Sequence, residues 1–205
     1  MRRRGGWGLA VLAFVVALSG CGSAGAPLAA GNPTRYLITI DQLVAPDFTV
    51  SSAATHVTAD TLADGDAALA AALRTDGLQT AARVEYQRAA DFTTANGPLD
   101  VVATAMQFAS VAGATSAYTS TVRTLDALPG ATPTSTGPLG DEAHAISVVK
   151  TTTSGLSAVE ITLEWRVDNI VNILITRGRY GGTRLDDALV LAGLQTANEA
   201  RAAGS

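Results

Sequence analysis

The chain has 205 residues, with 14 Lys and Arg against 18 Asp and Glu, so its net charge is −4 with both histidines neutral. That sign argues against nucleic acid as a partner and against a basic membrane-binding patch. One cysteine leaves no thiol pair for a disulfide, and 5% aromatic residues supply few rings for a carbohydrate or single-stranded nucleic-acid platform.

Arg2, Arg3 and Arg4 precede an unbroken apolar run from Leu9 to Leu18, the charged start and apolar stretch of a secretory signal. The run is too short to span a bilayer, which takes about 20 apolar residues. It ends in Leu18-Ser19-Gly20-Cys21, which resembles the lipobox of bacterial lipoproteins. The resemblance implies that residues 1–20 are removed, that Cys21 receives a diacylglyceryl group, and that the protein works on the outer side of the cell membrane. Two acyl chains, as found on such a palmitate-type anchor, are what stable attachment needs. Loss of the three arginines leaves 11 basic against 18 acidic residues, a net charge of about −7. Residues 21–34, rich in Gly, Ala, Ser and Pro, are expected to form a flexible tether, and residues 35–205 a single α+β domain.

Within that domain Tyr36–Ile40 reads as a short strand or a first helical turn. Asp64–Asp76 carries Leu69 and Leu73 four apart before Gly77, which predicts the first helix. Leu78–Arg88 alternates Ala82, Val84 and Tyr86 with Arg83, Glu85 and Gln87, and Asp100–Phe108 follows the Asn96-Gly97-Pro98 turn signal, so both are strands. Ser110 is placed to cap a second helix whose apolar positions are Val111, Ala114, Tyr118, Val122 and Leu125. The Pro- and Gly-rich stretch from Leu128 to Gly140 is expected to be loop.

Three more strands are predicted, at Ala143–Lys150, Ala158–Val167 and Ile170–Thr176. Asp168-Asn169 forms a two-residue hairpin turn between the last two. That turn sets Trp165 opposite Asn172 and sends Val171, Ile173 and Ile175 to the other face, so either helices partly cover both faces, which is the expected arrangement, or the loop is one residue longer and the register shifts. Thr183 is the expected cap of a third helix, with Asp186 and Asp187 in its first turn and Leu185, Ala188, Leu189 and Ala192 buried. The predicted architecture is a mainly antiparallel sheet of about five strands flanked by about three helices, in the order helix, strand, strand, helix, strand, strand, strand, helix.

Three segments, residues 108–114 (FASVAGA), 137–143 (GPLGDEA) and 165–171 (WRVDNIV), resemble a pattern in lipoproteins of high-GC bacteria. They are also distantly similar to the extracellular sensor domain of mycobacterial receptor kinases, which implies an extracytoplasmic domain with a sensor-like, ligand-binding role.

The search for chemistry is mostly negative. No Gly-x-Ser-x-Gly elbow exists, Ser154-Gly155 reads as a hairpin loop, and His56 and His144 are the only histidines. Asp141, Glu142 and His144 cluster in sequence, but alternation splits them two to one across a strand, short of a metal site. Glu160 and Glu164, with Thr162 between them, read as the solvated side of a half-buried strand. Arg177, Arg179 and Arg184 surround Gly178, Gly181 and Gly182 ahead of a helix and are candidate anion-binding residues.

The expected function is a non-enzymatic, lipid-anchored domain, without cofactor, that binds a small apolar or amphipathic molecule. Met106, Phe108, Tyr118 and Trp165 are the candidate pocket lining. The alternative is a module that interacts with another envelope protein through an exposed apolar patch.

Overall fold

The computed structural model describes residues 31–151, 153 and 155–203. The predicted signal, Cys21 and all of the tether before Gly31 lie outside the described residues, as does Ser154.

The described chain forms four α-helices and one seven-stranded sheet. In chain order these are β1 (Phe48–Val57), the single turn α1 (Ala59–Leu62), α2 (Ala67–Thr75), β2 (Leu78–Arg88), β3 (Asp100–Phe108) and α3 (Val111–Asp126). Then come β4 (Ala131–Thr134), β5 (Glu142–Thr151), β6 (Ser157–Val167), β7 (Ile170–Arg179) and α4 (Leu185–Ala203). The strand order is β1-β2-β3-β7-β6-β5-β4, and all neighbours are antiparallel. Two meanders therefore meet at β3 and β7. Helix α3 carries the chain from the centre of the sheet across one face to the far edge.

The hairpin at Asp168-Asn169 has the expected register, with Val167 opposite Ile170 and Trp165 opposite Asn172. Asp168 takes a positive φ of 50°, which an aspartate tolerates better than most residues. Period-two alternation then sorts the side chains. Ala82, Ala105, Leu174, Leu163 and Trp165 share the face covered by α4 and the N-terminal segment; Ala81, Met106 and Val171 share the face covered by α3. Each large apolar side chain so buried contributes about 1.5–3 kcal/mol.

Five of the seven strands lie within a few residues of their predicted spans. The two extra ones, β1 and β4, are the edges of the sheet. β1 is exposed along most of its length and its pairing with β2 slips between Val50 and Ser52 and again between Ser52 and Thr55. β4 lies in the stretch expected to be loop, and carries Pro133 at a position where an edge strand has no neighbour to bond. An edge strand with little to bury has no apolar periodicity to display.

Other local expectations shift for similar reasons. Tyr36–Ile40 is neither strand nor α-helix: it joins two short 3-10 turns, Pro33–Arg35 and Ile40–Gln42, and inserts Tyr36, Leu37 and Ile38 into the core. The Tyr86 hydroxyl donates to the Ile38 carbonyl at 2.9 Å, and the Gly31 amide donates to the Tyr36 hydroxyl at 2.9 Å. Helix α2 starts three residues later than the expected Asp64, and Asp66 caps it, accepting from the amides of Ala68 and Leu69. Ser110 caps α3 as expected, accepting from the Gly113 amide at 3.0 Å. Thr183 does not cap α4; its hydroxyl donates to the Gly97 carbonyl at 3.2 Å, and Arg184 takes the capping place with its amide on Asp187 Oδ2 at 3.4 Å.

Candidate functional site

Helix α4 has two halves of different chemistry. Its buried face begins with Ala188, Leu191 and Ala192, and then continues at the same spacing with Gln195, Asn198 and Glu199. The first half packs as an ordinary apolar stripe. The second half brings amide and carboxyl groups against the sheet, where each must find a partner or cost free energy.

Most find one. Gln195 Nε2 donates to Asn172 Oδ1 at 2.7 Å and to the Thr104 carbonyl at 3.2 Å. Asn198 Nδ2 donates to the Leu37 carbonyl at 2.9 Å and to Gln42 Oε1 at 3.1 Å, which ties α4 to the N-terminal segment. Trp165 Nε1 donates to Thr196 Oγ1 at 3.0 Å, and Thr196 in turn donates to the Ala192 carbonyl.

Gln195 Oε1 and Glu199 are the exceptions. Glu199 is 4% exposed, and neither carboxyl oxygen has a close hydrogen-bond partner among the described residues. The Asn172 side chain favours its charged form. Burial dominates and pushes the Glu199 carboxyl up to about 8.

Glu199 is among the residues lining a cavity of about 220 Å³ between the last turns of α4 and the β6–β7 hairpin, although its carboxyl oxygens are closed off from it. Val167, Ile170, Ala200 and Ala203 form its apolar wall, with Thr196, Glu199 and Asp168 as the polar members. An apolar hollow with a few polar groups has the make-up of a small-molecule site. A larger, open groove of about 390 Å³ lies on the other side of the same turns, between Thr34, Arg35, Asp41, Gln42, Asn198 and Arg201. Its lining is mainly polar and charged, and it lacks an unpartnered buried group.

The predicted pocket residues do not come together. Met106, Phe108 and Tyr118 pack in the core beneath α3, whereas Trp165 is fully buried on the α4 face. The sheet lies between them, so no single cavity can include all four. Tyr118 is buried, and the loss of water pushes its hydroxyl up to about 12. Trp165 belongs to the candidate site only through its bond to Thr196.

The arginine cluster is dispersed as well. Arg177 Nε lies 2.5 Å from Glu160 Oε2. Arg179 is held by the Ala95 carbonyl and Asn96 Oδ1, and Arg184 is exposed beside the start of α4. Two of the three guanidinium groups are thus engaged within the fold. Arg166 bridges Asp141 and Glu142 at 2.9 Å each, and His144 Nε2 lies 2.8 Å from Asp126 Oδ1, which accounts for the cluster weighed as metal ligands.

In the row Glu160, Thr162, Glu164 only Glu160 reaches solvent. Thr162 is 4% exposed and Glu164 is fully buried beneath α3, with its carboxyl pushed well above the usual range by burial alone. The site residues that sequence reasoning missed, Gln195 and Glu199, did leave a signal: polar side chains continuing the apolar stripe of α4 at three- and four-residue steps.

No family model matches the chain, and no curated protein matches it. Among solved structures it is similar to the extracellular domain of PknH from Mycobacterium tuberculosis, with a TM-score of 0.51 and 10% sequence identity over 84% of this chain and 99% of that one. At this identity the likeness is one of fold.

Proposed function

We propose that this chain is a lipid-anchored, extracytoplasmic domain that binds a small apolar or amphipathic molecule in the cavity beneath the last turns of α4, and that its role is binding rather than catalysis. The observation that carries the reading is the cavity itself, with Val167, Ile170, Ala200 and Ala203 as an apolar wall and Thr196 and Asp168 as polar members. The fold shared with an extracellular domain supports a place outside the cytoplasm, and Leu18-Ser19-Gly20-Cys21 supports the anchor.

Native mass spectrometry of the full chain purified from its own cell envelope tests the binding role. A small-molecule adduct is expected on the parent and not on an Ala200→Trp variant, in which the exposed Ala200 position is used to fill the cavity. An adduct on neither, or equally on both, overturns the site. Membrane fractionation of Cys21→Ser tests the anchor, and unchanged membrane retention overturns it.

A further inference from the structure

Helix α3 covers only part of its face of the sheet. It ends at Asp126, whose carboxylate lies 2.8 Å from His144 Nε2, and the chain turns away through Leu128 and Pro129 into β4. Past that point the register sets Val148 and Lys150 of β5 beside Glu160 and Ala158 of β6, with Arg177 of β7 opposite Glu160. Two adjoining hollows lie over these side chains. One, of about 340 Å³, is lined by Leu128, Pro129, Val148, Lys150 and Glu160; the other, of about 190 Å³, shares the last three and reaches Ala158 and Arg177.

The two ends of this groove differ in chemistry. At the α3 end Leu128 is 39% exposed beside Pro129, an apolar wall open to solvent. At the other end stand two cations. Lys150 is the one lysine of the chain; it is exposed, with no ion pair or hydrogen bond among the described residues. Glu160 lies diagonally across from it yet turns to Arg177, whose Nε is 2.5 Å from Glu160 Oε2. That bond neutralises the one carboxylate among the described lining residues, and Lys150 supplies the uncompensated charge. The Arg177 side chain is 43% exposed, and its Nη atoms make no hydrogen bond among the described residues. Asp100 faces Arg177 from β3, outside the lining.

We infer that this groove takes a small anionic amphiphile, with a carboxylate head on Lys150 and the Nη edge of Arg177 and an alkyl chain running over Val148 toward Leu128 and Pro129. It is a second site, on the opposite face of the sheet from the cavity beside α4, and it does not depend on that cavity. A carboxylate gains Lys150 without breaking any bond of the fold, since Arg177 keeps its Nε on Glu160. This orientation also holds the head away from the negative C-terminal end of α3. An ammonium head meets Lys150 and must displace Arg177 from Glu160, and an uncharged head gains neither cation.

The test titrates the full chain with octanoate, octan-1-ol and octylammonium at pH 7.5 and low salt, following amide chemical shifts. The amides of Leu128, Val148, Lys150 and Ala158 are expected to move. Octanoate should bind about fivefold more tightly than octanol, the upper range for an exposed ion pair, with octylammonium weakest. In about 1 M salt, where the screening length is about 3 Å, that preference should shrink. Lys150→Gln should erase it and keep the octanol affinity, while Leu128→Asn should weaken both. Octylammonium binding as tightly as octanoate, or an octanoate preference that survives Lys150→Gln, overturns the charge assignment. Shifts confined to the α4 cavity, or no shift at all in a folded protein, overturn the groove as a site.

Discussion

Glu164 and Glu199 are both buried glutamates, held over opposite faces of one sheet, and neither carboxyl has a close hydrogen-bond partner among the described residues. Glu164 projects from the middle of β6, between His144 on β5 and Ile173 on β7, and α3 covers it. Glu199 descends from a helix whose end stands beside a cavity. Burial raises both carboxyls for the same reason, loss of water around the charged form. Of the two residues, only Glu199 contributes to the lining of that cavity. A displaced pKa therefore marks a desolvated group, and cavity shape decides whether that group is a site.

The largest effect that separates the two is on stability against pH. Each carboxyl keeps its proton in the folded state after the unfolded chain has lost it, so the associated stability is full below the ordinary glutamate value of 4.5 and is lost as pH rises toward the folded value. Urea denaturation should show the protein less stable at pH 8 than at pH 5, falling by on the order of 1 kcal/mol per pH unit for each group across its window. For Glu199 the window closes near pH 8. Glu164→Gln and Glu199→Gln should each flatten part of the fall. A fall that survives both substitutions would remove the basis of the comparison.

A smaller effect concerns the cover over Glu164. A Cβ added to Gly113 would lie 1.9 Å from the Asp76 carbonyl oxygen, so α3 seats against the end of α2 only with glycine there. Gly113→Ala should cost about 1–3 kcal/mol, measured by the same denaturation, as expected for overpacking. It should also bring the Glu164 share of the pH dependence closer to that of an ordinary carboxyl, with the Glu199 share unchanged.

The smallest effect is on the other face. Trp165→Phe removes the indole donor to Thr196 and should cost about 1 kcal/mol. Since Thr196 lines the cavity, a loss of affinity for hexan-1-ol of a few-fold is expected in the same variant.

How much of this was legible in the sequence follows from what each residue has to bury. β2, β3 and the β6–β7 hairpin were readable because their alternation and the Asp168-Asn169 turn leave few alternatives; the edge strands were not, because β1 and β4 bury almost nothing. Alternation in β6 correctly separated Trp165 from Glu164 but could not say that both sides are covered. The apolar Val171 and Ile173 on the neighbouring strand carried that information, and they implied a helix over Glu164 as well. Gln195 and Glu199 were passed over because polar residues late in a helix ordinarily mark its solvent side. Met106, Phe108, Tyr118 and Trp165 are large core residues, and size alone does not distinguish a packed side chain from one that lines a cavity.

The bonds from Asn198 to the Leu37 carbonyl and to Gln42 have a mechanical meaning. Tension applied at residue 31 passes along a short segment into the last turns of α4, and through Tyr86 into β2, before it loads the centre of the sheet. Glu199 is the next residue after Asn198. The N-terminal segment and the turn of α4 that carries Glu199 thus share one strut, and a pull at the first is felt at the second.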